Sequence, residues 1–284
     1  MSAIQTQTQN EPLSAPLVFT LAAGAGLSVA SIYYSQPMLD IISKQFNAGI
    51  GAVGMVPMLT QAGYALGILL LAPLGDRHDR RTIIFIKGLM LVAALLLCGF
   101  SGGLSALLIA SFITGLTATV AQDIVPASAA LAPERSRGKT VGTVMTGLLV
   151  GILLSRVVSG VVAEYFGWRT MYMIAALAVL LITLTLWRVL PRFAPGTSVS
   201  YPRLLLSLVH LWRHHQTLVY GLAPEARSRL NALLFTVVFI GMATGAALGS
   251  LALAHWGWNG VVALSTLAGA AALAVRFASR HLKN

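Results

Sequence analysis

The residues able to do chemistry in this chain are few, and their surroundings suggest what each could do. A charge cluster falls in Gly75-Asp76-Arg77-His78-Asp79-Arg80-Arg81, where Asp76 stands among Arg77, Arg80 and Arg81. A carboxylate among guanidiniums can make and break ion pairs, beyond what a purely basic anchor loop does. The plainer alternative is a basic loop that only holds the chain at a membrane face. Asp123 lies toward the end of a long apolar stretch, where burial makes a carboxylate protonatable, as a proton-coupling residue must be. Its alternative is a carboxylate at a cavity edge beside the bend at Pro126. Arg156 is also embedded in apolar sequence, at a cost of about 3 kcal/mol or more, so it either contacts an anionic substrate in a wet path or snorkels to headgroups. Gln36 and Gln61 either line a cavity or bond across helices. Lys87 is close enough to a membrane face to snorkel.

These residues are set in stretches that carry no charge at all: residues 12–39, 45–75, 88–122 and 230–275. With 57% hydrophobic and 10% charged residues, against about 25% charged in soluble domains, an ordinary cytosolic enzyme and a disordered chain are both excluded. The single cysteine, Cys98, excludes a disulfide scaffold. A bilayer-crossing helix needs about 20 mostly apolar residues, and the two longest stretches break at Ser101-Gly102-Gly103 and at Trp256-Gly257-Trp258-Asn259-Gly260. The expected architecture is an all-α, polytopic membrane protein with about eight spans, near 16–36, 50–73, 82–100, 104–128, 140–163, 170–189, 231–254 and 260–276. No Lys or Arg precedes Lys44, so the charged start of a cleaved signal is missing and no cleavage is expected. At 1.5 Å per residue, Asp123 and Arg156 are on the order of 20 Å apart in depth and form no simple ion pair.

Orientation follows from the basic residues. Fifteen of the 19 Lys and Arg fall on one side, Lys44 and Arg169 on the other, and Lys87 and Arg156 within spans. The rich side is expected to be cytoplasmic, with both termini there. The net charge of +11 is then a topology label and implies no nucleic-acid partner. Residues 1–15 read as a cytoplasmic tail, 16–190 as a six-helix unit, 191–229 as a linker and 230–284 as a two-helix unit. Within the linker, Arg203, Ser207, His210 and His214 face away from Leu204, Leu205, Leu208, Leu211 and Trp212, the pattern of a helix lying on the membrane surface.

The chain also repeats itself. Leu131-Ala132-Pro133-Glu134 returns as Leu222-Ala223-Pro224-Glu225, Gly167-Trp168 returns as Gly257-Trp258, and Gly151, Ser155 and Ser159 correspond to Gly241, Gly245 and Gly249. Small residues at every fourth position let helices approach closely in lipid. The first copy follows four spans, so a repeating unit of six helices would be about 190 residues long. The Leu-Ala-Pro-Glu copies are 91 residues apart. About four helices are therefore expected to be missing from the second unit, with the junction near 214–220.

Several motifs then point to a family. The Gly75–Arg81 loop resembles the signature loop of the major facilitator superfamily. Tyr33-Tyr34-Ser35-Gln36-Pro37 and the Leu-Ala-Pro-Glu loop resemble its drug:proton-antiporter-like bacterial branch. The resemblance implies two six-helix halves around a midplane site, here a complete first half and the last two helices of the second. It also implies that Asp76, Arg77, Arg80 and Arg81 form a gating latch, with Asp76 set to cap the helix beginning near Asn231. The chain departs from the pattern at Ala72 and Asp79, where glycine is usual, so a less tightly turned loop is expected. It departs again at Ser111, where an arginine is common.

The implied function is a secondary transporter in the bacterial inner membrane that exports or exchanges a small molecule by alternating access, with protons as a possible coupling ion. Arg156, Gln61, Gln36 and Asp123 would line its path, and no cofactor or metal is called for. The alternative is an internally deleted remnant that inserts but transports nothing, unless two copies associate to cover the missing helices. His210-x-x-x-His214-His215 resembles one histidine box of membrane di-iron desaturases, but that chemistry needs several boxes and the other histidines are isolated. No nucleophile triad, phosphate loop or zinc spacing occurs, so no enzymatic activity is expected.

Overall fold

A bilayer offers the backbone no hydrogen-bond partners, so an uncharged apolar chain satisfies itself as helices. The computed structural model describes residues 12–194, 201 and 227–281, and all regular structure among them is helical. The elements are α1 (Ala15–Ala30), α2 (Leu39–Phe46), α3 (Ile50–Val53), α4 (Met55–Leu71), α5 (Leu74–Arg77), α6 (Arg80–Gly99), α7 (Leu104–Thr117), α8 (Ala121–Leu131), α9 (Arg137–Phe166), α10 (Trp168–Val189) and α11 (Arg227–His281). Among the described residues, six stretches are long and apolar enough to cross a membrane: Ile50–Arg77, Arg80–Gly99, Leu104–Leu131, Arg137–Phe166, Trp168–Val189 and Phe235–Leu273; α1 is a shorter apolar helix. The all-α, polytopic architecture is thus present.

Two expected spans differ in detail. The first does not run unbroken over 16–36: α1 ends at Ala30, turns follow, and a 3-10 turn at Gln36–Met38 leads into the amphipathic α2. The surface of α2 carries the exposed Asp40–Lys44 pair at 2.6 Å, and Asn47 closes it in the left-handed conformation, φ 48°. The fourth span is divided by a 3-10 turn at Ala118–Val120 and continues as α8, with Pro126 inside it.

The last two expected spans are the arms of α11, separated at Gly257 (φ 62°, ψ −155°). A methyl group on Gly260 would lie 3.1 Å from the Ala252 carbonyl oxygen, whereas a straight helix would separate these residues by about 12 Å. The chain therefore doubles back. Gly167, between α9 and α10, makes the same reversal at φ 84°, ψ 149°. Both conformations belong to a region that essentially only glycine enters, so the two Gly-Trp turns of the repeat share a backbone solution.

Close helix contacts organise the bundle. α1 crosses α9 where a methyl group on Gly26 would meet the Gly147 oxygen at 2.6 Å. α4 pairs with α7, α6 with α10, and the first arm of α11 lies along α4. The linker residues of the expected surface helix, the histidine box, the second Leu-Ala-Pro-Glu and the proposed junction lie outside the described residues.

Candidate functional site

The loop between α4 and α6 is built by local hydrogen bonding. α5 is a single turn, with the amides of Gly75, Asp76 and His78 bonded to the oxygens of Ala72, Pro73 and Leu74. Ala72 (φ −64°) and Asp79 (φ −57°) take backbone conformations open to any residue. The expectation of a looser loop is therefore corrected: no glycine freedom is needed at either position. Asp79 caps α6, accepting from the Arg81 amide at 3.1 Å and the Thr82 hydroxyl at 3.2 Å.

Asp76 and Arg80 form an ion pair at 2.9 Å, mostly but not fully buried, and Arg80 Nε also donates to the Gly75 oxygen at 3.1 Å. Arg81 turns away and stacks its guanidinium on Trp187 of α10 at 4.4 Å. Arg77 is half-buried.

Asp123 comes in from α8. One carboxylate oxygen lies against Gly75, where a side chain would collide with it, and the other accepts from Lys87 Nζ at 2.6 Å with both side chains almost wholly buried. Lys87 therefore does not snorkel. Opposite charges dragged into a low-dielectric interior must pair, because either alone would be uncompensated. A signal for this existed in the sequence: Lys87 lies about 10 Å into α6 and Asp123 about 12 Å before the end of α8, at 1.5 Å per residue from the same basic end.

Asp76, Arg80 and Asp123 line a cavity of about 400 Å³ together with Gln122, Tyr33 and Tyr64. Gln122 donates to the Tyr64 hydroxyl at 3.2 Å. The Tyr64 ring packs edge-on at 4.3 Å against Phe239 of α11, so the first arm of α11 supplies a wall.

The expected site residues thus divide. Asp76, Arg80 and Asp123 meet at the cavity, while Gln36, Gln61 and Arg156 are not among its lining residues. Arg156 is exposed on α9 with its guanidinium 5.3 Å above the ring of Tyr33, which does line the cavity. Gln61 is buried in α4 with its side-chain oxygen unpartnered, and Gln36 is half-buried at the start of the 3-10 turn. Ser111 is buried with an unpartnered hydroxyl. Lys87, Gln122 and Tyr64 are the participants that sequence reasoning did not assign to the site. No cluster of three metal-ligating side chains occurs among the described residues.

Among the described residues, apolar helices pack around a cavity whose lining includes Asp76, Arg80 and Asp123. Residues 21–221 match the Major Facilitator Superfamily, and the chain belongs to it. The uncharacterized transporter YgaY of Escherichia coli O157:H7 is 39% identical over 226 residues, covering 80% of this chain and 56% of YgaY. The multi-drug resistance efflux pump PmrA of Streptococcus pneumoniae serotype 4 is 26% identical over 202 residues, covering 65% of this chain and 51% of PmrA. The crystal structure of the peptide transporter POT shares the fold at TM-score 0.60 and 13% identity, covering 89% of this chain and 53% of POT. The chain thus spans about half the length of the relatives it matches.

Proposed function

We propose that this chain is a secondary active transporter of the drug:proton-antiporter-like branch, residing in the bacterial inner membrane with both termini cytoplasmic, and moving a small molecule outward or in exchange by alternating access. The observation that carries the reading is the meeting of Asp76, Arg80 and Asp123 in the lining of a cavity whose other surfaces are mainly apolar. In this mechanism the Asp76–Arg80 pair holds the cytoplasmic gate, and the apolar and aromatic walls take the body of the substrate. Asp123 is the proton acceptor: a proton on its carboxylate cancels its charge, frees Lys87 and loosens α6 from α8. Arg156, Gln61 and Gln36 serve the outer half of the path, with Tyr33 between Arg156 and the cavity. PmrA, as an efflux pump, lends the export direction its support.

The test is proton-linked flux of candidate drugs into inverted membrane vesicles. Flux is expected with the native chain, to be lost with Asp123→Asn and to fall with Arg156→Ala. Proton-independent flux would remove Asp123 from the coupling role.

A second reading is favoured by one specific feature: α9 and α11 both line the cavity yet make no extended contact with each other among the described residues. Leu149 and Val238, on these two walls, are exposed. A cavity open on that flank suits an internally deleted remnant, or a chain that closes the flank with a second copy of itself. Absence of flux for every substrate, together with protease sensitivity in the membrane, would support the remnant. A lost in-frame block in the encoding DNA around codons 214–221 would support the deletion. Cross-linked dimers that transport would support self-association.

A further inference from the structure

Two described residues beyond α10, Phe193 and Tyr201, are fastened at the two ends of the gating loop. The Phe193 amide donates to Asp79 Oδ1 at 2.8 Å, and the Phe193 side chain packs against the core. The Tyr201 hydroxyl donates to the Leu70 carbonyl at 2.7 Å. Leu70 lies in the last turn of α4, where carbonyls lose their helical partners, and the hydroxyl supplies a donor there. The two attachment points bracket the loop, Leu70 on its α4 side and Asp79 on its α6 side, and the Asp76–Arg80 ion pair lies between them.

We propose that Asp79 is a positioning residue of the gate: it clasps the chain following α10 to the loop that carries Asp76 and Arg80, so that loop and chain move as one body. Three donors converge on this single carboxylate, the Arg81 amide, the Thr82 hydroxyl and the Phe193 amide. A helix cap needs only the first two. The third ties segments 114 residues apart, and it exists because an acidic side chain stands where the resembled signature loop has glycine. Arg81, the next residue but one, adds a second tie to the same region by stacking on Trp187 near the end of α10. The role of the loop as a gate rests on the transporter reading, but the clasp itself does not.

Amide hydrogen exchange of the full-length chain in nanodiscs tests the clasp without any substrate. In Asp79→Ala, exchange is expected to rise about tenfold at the Phe193 amide and also across 76–80, the size of effect that one charge-assisted hydrogen bond produces. Asp79→Asn, whose side-chain oxygen still accepts, should keep both near native. Tyr201→Phe removes the other fastening and leaves the cap of α6 intact; it should speed exchange in 76–80 by a smaller factor. If Asp79→Ala affects only the first turn of α6, or if Tyr201→Phe leaves 76–80 unchanged, Asp79 is a helix cap alone and the clasp is overturned. Loss of flux control in Asp79→Ala, with exchange altered as expected, would carry the clasp into the transport cycle. Altered exchange with no flux in the native chain would leave the clasp standing and remove the transporter reading.

Discussion

The two copies of the internal repeat have diverged in their packing. In the first, α9 turns at Gly167 into α10; in the second, the first arm of α11 turns at Gly257 into the other arm, and both glycines take a positive φ. The faces beside the turns differ. On α9, a side chain at Gly147 would collide with Ala22 of α1 and one at Gly151 with Gly26, and Ser155 and Ser159 are buried. Gly241, Gly245 and Gly249 of α11 have nothing within 4 Å of where a side chain would project. Trp168 after the first turn is 1% exposed, and Trp258 after the second is 73% exposed. The same local residues therefore make the same turn wherever they occur, while burial depends on what the rest of the chain brings alongside. Among the described residues, the first copy has α1 as its partner, and the second packs along α3 and α4.

Substitutions in matched pairs would break or sharpen that contrast. The largest difference is expected at the tryptophans. Trp168→Ala should cost about 3–5 kcal/mol of stability as a deeply buried aromatic lost from a packed core, whereas Trp258→Ala should stay within about 0.5 kcal/mol. Thermal unfolding in a mild detergent would report both, and a large loss at Trp258 would mean that the second arm has a packing partner. The charges of the first unit come next, because residues 230–275 contain none. Lys87→Met strands Asp123 and should cost about 3 kcal/mol or more, with Lys87→Met/Asp123→Asn recovering much of it. A double variant no better than the single would show that the pair is not what holds α6 to α8.

The small-residue faces give a third pair. Gly26→Leu must push α1 off α9, where the obstacle is backbone, at about 2–3 kcal/mol. Gly245→Leu meets open space and should change a measured Tm little; a marked loss there would point to a second copy seated on that face. Smallest is the pair expected to agree. Gly167→Ala and Gly257→Ala should each cost about 1–2 kcal/mol through backbone strain alone. Unequal costs would show that packing and not the turn sets the penalty at one of them.

Much of the architecture was legible because a bilayer makes it so. Uncharged runs of sufficient length must be helices there, and Ser101-Gly102-Gly103 and Gly257 marked the breaks between them. The break of the first span at Ala30 was less visible, since nothing in Ser31-Ile32-Tyr33-Tyr34 is polar enough to interrupt an apolar run. At the site, Asp76, Arg80 and Asp123 stood out as carboxylates and guanidiniums in unusual places. Lys87 did not, because a lysine near a helix end has an ordinary explanation in snorkelling; only the matching depth of Asp123 on another helix turns it inward. Asp79 was read as a missing glycine, whereas its carboxylate is occupied by donors from α6 and from the chain after α10.

Sequence by itself determined that this chain is a bundle of membrane helices, that breaks fall at 101–103 and at Gly257, and which residues carry charge into the apolar interior. Those properties are local: they depend on hydropathy, on run length and on the conformations open to glycine. Tertiary structure decided that Asp123 is held by Lys87, 36 residues away, and that one small-residue face is filled while its repeat is bare. Ion pairing and close packing each need a partner at a particular distance, and that partner comes from a segment far away in the chain.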